Sequence, residues 1–365
     1  LRAYTNGNLN TINYSDPTYL NATGYIDARY DNRSLTIGVS MNQKIDTKWE
    51  VFGGTEEVLS DLKTNDSTFA LPVRFHNSSL IGSRLKLNEI QFELELSSQY
   101  VKEINNNGNA AVDRFRVNPF VSISGGITNR KVNYEVWYRN SFRMPTFNEL
   151  YYNNIGNNLL KPEDAHQANL GVGFRPYNGK WKLKIKANAF YNRIANKIVA
   201  IPSKNLFVWS IQNVGIVDVF GGDITATSDL KLTEKWKIAM DVNYSYQKTI
   251  DVTDKDSPTY KHQIAYIPLH SGNADFSVYF KTTGLSLSSN FVGSRYALNE
   301  NVPSNLVAGF YLLDLSFFHR FEIKEKHVLK LQLNIKNITN NSYAYIRSFA
   351  MPGINYLISM NYAFN

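Results

Sequence analysis

The chain has 365 residues, 43% hydrophobic and 19% charged, with a formal net charge of +8, 21 glycines, 11 prolines and no cysteine. That composition excludes a fibre, a disulfide scaffold and a disordered chain. No window reaches the roughly 18 to 20 consecutive apolar residues that a membrane helix needs, which leaves a β-barrel open. The basic residues are dispersed, many beside tight turns, whereas nucleic-acid binding calls for a basic patch with aromatics to stack on bases. The chain opens at Leu1-Arg2-Ala3-Tyr4 without a charged, apolar leader, so a removed signal or a longer parent polypeptide is expected.

In chain order, strands are predicted at 34–44, 49–59, 79–87, 89–101, 114–127, 131–142, 164–175, 181–195, 209–228, 235–249, 261–280, 285–297, 306–320, 328–340 and 354–364. Residues 20–30 supply a sixteenth, with part of another before residue 10. The warrant is a period of two. Leu329, Leu331, Leu333 and Ile335 alternate with Lys330, Gln332, Asn334 and Lys336, so one face is apolar and the other wet. The same rhythm sets Ile90, Phe92, Leu94 and Leu96 against Gln91, Glu93, Glu95 and Ser97. It also sets Trp181, Leu183, Ile185 and Ala187 against Lys182, Lys184, Lys186 and Asn188. No comparable helical stripe appears.

A soluble sandwich would also alternate, so the connections arbitrate. Short polar turns, such as Asp46-Thr47-Lys48, Leu87-Asn88 and Thr233-Glu234-Lys235, take turns with longer irregular loops near 60–78, 102–113, 143–163, 199–208, 250–260, 298–305 and 341–352. One end trimmed and the other elaborate is the pattern of an outer-membrane barrel. Trp49, Trp181 and Trp236 each follow a turn lysine, where an indole can sit among headgroups with its N–H hydrogen-bonded. Lysines 182, 184 and 186 must then line the lumen, because a cation facing lipid at the midplane costs about 2 to 4 kcal/mol. The fold class expected for residues 1–365 is an all-β antiparallel transmembrane barrel of about sixteen strands. Those strands either close alone, as a passive porin, or leave two edges that need partners.

Residues 139 to 163 contain Phe142, Arg143, Met144 and Pro145, then Phe147, Leu150 and Tyr151, then Leu160, Lys161, Pro162 and Glu163. This segment resembles the barrel signature of TonB-dependent outer-membrane receptors, a Phe-Arg-Ala-Pro-like element followed by Leu-Lys-Pro-Glu, with Met144 in place of the usual alanine. The resemblance extends to Asn334-Ile335-Lys336-Asn337 and to the aromatic last strand. It implies a 22-stranded barrel of which this chain supplies the last sixteen strands, and an N-terminal plug and remaining strands from another chain or segment. It also implies energy coupling by TonB–ExbB–ExbD, a location in the outer membrane of a Gram-negative bacterium, and a surface lipoprotein as a further partner.

Pro145 and Pro162 lack an N–H and suit places where chain leaves and rejoins a ladder. Tyr151, Tyr152, Asn153 and Asn154 are an aromatic pair followed by amides, able to grip a large ligand or to pack the loop on itself. Arg143, Trp209, Tyr296 and Tyr345 are further candidates for cargo contact. Asp251, Asp254 and Asp256 could hold calcium through carboxylate oxygens, or form a solvated loop. His262 and His270 are placed on one strand face, about 26 Å apart at the strand rise and too far for one metal. The glycine pairs at 53–54, 125–126 and 221–222 point to bulges or close backbone approach.

No catalytic constellation stands out: there is no Gly-x-Ser-x-Gly elbow, phosphate loop, His-Glu-x-x-His or cysteine nucleophile. A hydrolase would need Ser, His and Asp converging near the loop rim. No cofactor is required for transport. Heme receptors of the family carry a histidine between the two loop elements. Residues 143 to 160 contain none, with His166 just beyond, so heme is disfavoured. The amide- and tyrosine-rich loops lean toward cobalamin over a ferric siderophore.

Overall fold

The computed structural model describes residues 1–16, 26–65, 71–105, 110–127, 131–151, 156–202, 209–324 and 327–364. Its strands are β1 (Arg2–Asp16), β2 (Ile26–Lys44), β3 (Trp49–Thr64), β4 (Pro72–Leu87), β5 (Ile90–Asn105), β6 (Arg114–Ile127), β7 (Val132–Arg143), β8 (Glu163–Phe174), β9 (Tyr177–Asn178) and β10 (Trp181–Pro202). They continue as β11 (Trp209–Lys231), β12 (Trp236–Asp251), β13 (His270–Phe280), β14 (Thr283–Val292), β15 (Arg295–Tyr296), β16 (Leu306–Val307), β17 (Phe310–Lys324), β18 (His327–Lys336) and β19 (Asn355–Phe364). Among the described residues one short α-helix, α1 (Phe147–Tyr151), and a 3-10 turn at Pro303–Asn305 interrupt them. The all-β expectation holds, since β9, β15 and β16 are two-residue ladders and the other sixteen are full strands.

Several boundaries move for physical reasons. The extra strand is β1, and 20–30 is no separate element: its residues 26–30 begin β2, and 17–25 lie outside the described residues. β1 carries Asn6, Asn8, Asn10 and Asn13 and no continuous apolar face, so its alternation is faint. An unbroken register with β2, from Arg2 against Ser40 to Asp16 against Ile26, makes it a strand. The predicted 261–280 strand begins only at His270, because Lys261 and Tyr266 have φ of 61° and 60° and Pro268 has no N–H to give a ladder. His262 therefore lies in a connection, its Nδ1 3.1 Å from the Asn299 carbonyl oxygen, and shares no strand with His270. The 328–340 strand stops at Lys336, where Asn337 takes φ 51°. The 60–78 loop is shorter than expected, since β3 reaches Thr64 and β4 starts at Pro72.

The chain divides into two compact units. The first comprises Leu1–Ile123, Trp137–Gln167 and Ile194–Gly215; the second comprises Ser124–Val136, Ala168–Arg193 and Ile216–Asn365. In the first, β1 to β5 pair antiparallel in chain order. Direct partners share a face, so Leu35, Ile37, Val39 and Met41 of β2 lie with Ile81 and Leu85 of β4 and with Phe92, Leu94 and Leu96 of β5. All of these are exposed, Ile81 at 63% and Leu94 at 62%.

In the second unit, β11 to β14 and β17 to β19 form a like ladder. Leu331 and Leu333 are exposed, and Ile358 and Met360 are more than 70% exposed. The apolar stripes therefore cover no dry protein interior. They form an outward oily surface, which is what a lipid-facing strand requires.

The short turns are built from local capping. Asp46 Oδ1 accepts from the N–H groups of Lys48 (2.6 Å) and Trp49 (2.7 Å), and Thr233 Oγ1 accepts from Lys235 and Trp236 in the same way. Two-residue turns at Asn88-Glu89 and Lys281-Thr282 use φ of 54° and 50° at their first residue. Adjacent turns are stitched together: the N–H of Lys86 donates to the Lys48 carbonyl, Lys231 to Lys180, and Lys281 to Lys235. Trp49 and Trp181 expose about two-fifths of their surface and donate their indole N–H to Ser83 Oγ (2.7 Å) and Ser228 Oγ (2.8 Å).

Close approach accounts for the glycine pair at 221–222, since a Cβ on Gly221 would lie 2.0 Å from the Tyr246 carbonyl oxygen. Gly82 serves differently, because the Phe52 ring of the neighbouring strand occupies the place of its side chain.

Candidate functional site

The long-connection end of the first unit holds a buried apolar cluster: Ala28, Tyr30, Leu62, Phe147, Leu150, Tyr151, Leu160 and Ile198. The strand ends supply Ala28, Tyr30, Leu62 and Ile198, and the connection between β7 and β8 supplies the rest. That connection folds by its own signals. Thr146 and Glu149 form a reciprocal capping box: Glu149 Oε2 accepts from the Thr146 N–H at 2.7 Å, and the Glu149 N–H donates to Thr146 Oγ1 at 3.2 Å. α1 then turns Phe147, Leu150 and Tyr151 inward, with Pro145 fully buried before it.

Charge fixes the segment at both ends. Arg143 donates to Glu149 (3.0 Å) and to Glu163 Oε1 (2.8 Å), so one guanidinium ties the end of β7 to α1 and to the start of β8. Glu163, 7% exposed, also accepts from Lys197 Nζ (3.2 Å) and from the Ile198 N–H (2.8 Å), which brings in the end of β10. Burial alone would push the Glu149 carboxyl up, yet the hydrogen bonds from Arg143 and Thr146 hold it below the usual carboxylate range. The Tyr151 hydroxyl donates to Glu103, which also accepts from Arg74 Nε at 2.8 Å. Burial first, and the Glu103 carboxylate second, push the Tyr151 phenol well above its ordinary range. The Arg74 guanidinium lies 4.7 Å from the Phe147 ring centroid, closing the cluster from the strand side. Asn213 completes it by exchanging hydrogen bonds with the backbone of Lys161, at 2.8 and 2.9 Å.

A different cluster occupies the long connections of the second unit. Arg295, 3% exposed, donates to the carbonyls of Ala344 (2.6 Å) and Tyr345 (2.7 Å), with no carboxylate partner among the described residues. Burial pushes its guanidinium down from the usual range. Phe310, Tyr343 and Tyr345 pack around it with ring centroids 4.8 to 5.8 Å apart.

The residues singled out in the sequence divide accordingly. Arg143 ties down the connection that carries the first cluster, and Tyr151 lies in that cluster as a buried packing residue at 9% exposure rather than one displayed on the loop. Tyr152, Asn153 and Asn154 lie outside the described residues, and Trp209 is described only as the first residue of β11. Tyr296 and Tyr345 flank Arg295, with Tyr345 45% exposed. The three aspartates do not converge on a cation. Asp251 Oδ1 caps Thr253 (N–H at 2.9 Å), Asp254 Oδ1 caps Asp256 (N–H at 3.0 Å), and no three carboxylates or histidines among the described residues form a metal-holding group.

Sequence reading missed Arg74, Glu103, Glu149, Lys197 and Asn213. The Thr146-x-x-Glu149 box was a readable signal, whereas Arg74 and Glu103 meet only because β4 and β5 pair in that register. Among the described residues of these clusters no hydroxyl or thiol is hydrogen-bonded to a histidine. The arrangement is a rim of connections stiffened from below, suited to holding a ligand at its exposed tips, where Leu159 is 82% exposed.

Residues 1–338 match the family model described as TonB dependent receptor-like, beta-barrel. The vitamin B12 transporter BtuB of Vibrio vulnificus (strain YJ016) is 22% identical over 239 residues, which is 61% of this chain and 33% of that protein. Among solved structures, the copper transporter OprC superposes with a TM-score of 0.73 at 14% identity, covering 99% of this chain and 61% of that one. BauA, the ferric preacinetobactin receptor from Acinetobacter baumannii, gives 0.69 at 15% identity, covering 99% and 60%. The chain thus spans a third of the curated relative and about six-tenths of the solved receptors. It belongs to the β-barrel family of TonB-dependent receptors.

Proposed function

We propose that this chain is the larger part of the barrel of an outer-membrane transporter, which captures a scarce, bulky nutrient at its long connections and passes it inward. The observation that carries the reading is the Arg143–Glu149–Glu163 clamp. It fixes the β7–β8 connection, with Leu159 exposed, on the ends of three strands. Family membership supports this reading over a passive porin and over a hydrolase. In this scheme a plug and the remaining barrel strands come from another segment or chain, TonB–ExbB–ExbD supplies the energy, and a surface lipoprotein can assist capture. Ligand affinity then differs between two plug states, and that difference drives release.

Cobalamin is the favoured cargo, supported by the relation to a vitamin B12 transporter and by the amide- and tyrosine-rich connections. A ferric siderophore is second, supported by the likeness to BauA, and heme follows behind both. The test is equilibrium binding of labelled cyanocobalamin and of a ferric siderophore panel to cells carrying the complete receptor, with and without TonB. Saturable cobalamin binding with TonB-dependent internalisation is expected. Siderophore binding alone would replace the cargo, and steady ohmic conductance of the complete receptor in a planar bilayer would end the transporter reading.

A further inference from the structure

Two short turns and the end of β17 enclose a cleft of about 390 Å³ in the second unit, walled by Lys231, Lys235, Lys237, Lys281 and Arg320. Backbone bonds fix the walls, since the Lys281 N–H donates to the Lys235 carbonyl (2.8 Å) and the Arg320 N–H to the Thr282 carbonyl (3.0 Å). The floor is aromatic. Gly284 pairs with Tyr279 on one side and Phe318 on the other, and their rings close over it with centroids 6.2 Å apart.

The charge on these walls is uncompensated. Lys231 stands directly opposite Lys237, a same-sign pair that costs stability unless an anion lies between the two. Among the described residues Lys237 has one carboxylate partner, Asp229 at 2.5 Å, while Lys231, Lys235, Lys281 and Arg320 have none, and the wall carboxylate Glu234 forms no ion pair. Near the short turns of the first unit, by contrast, Arg84 is met by Glu93 at 3.0 Å and by Glu50 at 3.6 Å.

Beside the cleft, on the outward face, Trp236 and Phe280 lie with ring centroids 4.6 Å apart, each about two-fifths exposed. Lys281 Nζ stands 5.8 Å from the Phe280 ring centroid, so one side chain of the cleft reaches that outward ring. The outward face continues from there through Leu285, Phe276 and Leu287, all exposed.

We infer that this cleft holds the phosphate of an anionic phospholipid whose acyl chains lie along Phe280, Leu285 and Phe276. The inference rests on the outward face being lipid-facing, as the transporter reading requires. Lysine and arginine supply the charge. The Thr233 oxygen already accepts from the N–H groups of Lys235 and Trp236, which leaves its hydroxyl proton to donate to a phosphate oxygen. A cationic cleft with indole and phenyl rings at its lip matches both parts of a lipid, headgroup and chain. A soluble phosphate would engage the cations and leave the rings without a role.

The test uses the complete receptor in detergent, with phosphatidylglycerol, phosphatidylcholine and inorganic phosphate as probes, read by native mass spectrometry. Retention of phosphatidylglycerol about ten-fold above phosphatidylcholine is expected, equivalent to one decade in an association constant. Lys281→Gln combined with Arg320→Gln should cut that retention several-fold, whereas Lys281→Arg combined with Arg320→Lys should keep it. Lys255→Gln, in the connection after β12, should leave it unchanged. Heat-modifiable migration reports the folding of each variant separately. Equal retention of the two lipids, unchanged retention after the double glutamine substitution, or bound inorganic phosphate without lipid overturns the inference while the transporter reading stands. Failure of the unsubstituted receptor to resist alkaline extraction from membranes overturns both.

Discussion

The two clusters under the long connections solve one problem with different chemistry. In the first unit a single guanidinium, Arg143, is shared between two carboxylates, and a buried tyrosine serves a third. In the second, Arg295 is held by carbonyls and ringed by aromatics, with no carboxylate partner among the described residues. The first is therefore a polar lock whose strength depends on every member being present and on its carboxylates and guanidinium being ionised. The second is a packed plug of rings that tolerates single losses.

The sharpest way to break this contrast is Arg143→Met, which leaves Glu149 and Glu163 facing each other. Because Arg143 is partly exposed, the loss is about 2 kcal/mol, below that of a fully buried pair. It should appear as rapid hydrogen exchange and protease cleavage within residues 144–162, with weakened cargo binding. Tyr151→Phe strands an acceptor on buried Glu103 and should cost about 1 to 2 kcal/mol in denaturant unfolding, with the exchange change confined to the first unit.

Acid sharpens the comparison further. The folded-state pKa of Glu149 is depressed, so its contribution is present above the unfolded carboxylate value and is lost as pH falls through the lower folded value. Connection 144–162 should loosen in that acidic window, and Glu149→Gln should remove that pH dependence, as followed by exchange at each pH. The smallest effect is Tyr343→Leu in the second unit, about 0.5 to 1.5 kcal/mol from the lost ring contact with Phe310, with no dependence on pH across the same window.

How much of this could be read from the sequence follows from which contacts are local. Strand alternation, the turn lysines and the indole placement were legible because each depends on residues within one hairpin. The Thr146–Glu149 cap was equally local, though embedded in a connection with no helical stripe long enough to announce it. The partners of Glu103 and Glu163 were not legible, because they arrive from strands paired in a register that only the folded ladder sets. β1, expected only as part of a strand before residue 10, was faint for the opposite reason: its asparagines give no apolar rhythm, and the fifteen-residue ladder with β2 does the holding. Tyr151 looked like a ligand grip because an aromatic in a connection reads alike whether it points out or in.

The stitched turns carry one more consequence. Linking the Lys86 amide to the Lys48 carbonyl, and Lys281 to Lys235, sets ammonium-bearing residues side by side along one edge of each ladder. Like charges held by backbone cannot drift apart, so that edge relaxes when mobile counter-ions gather there. Added electrolyte should tighten the short turns within each unit over the same concentration range in which it weakens the carboxylate lock of the first.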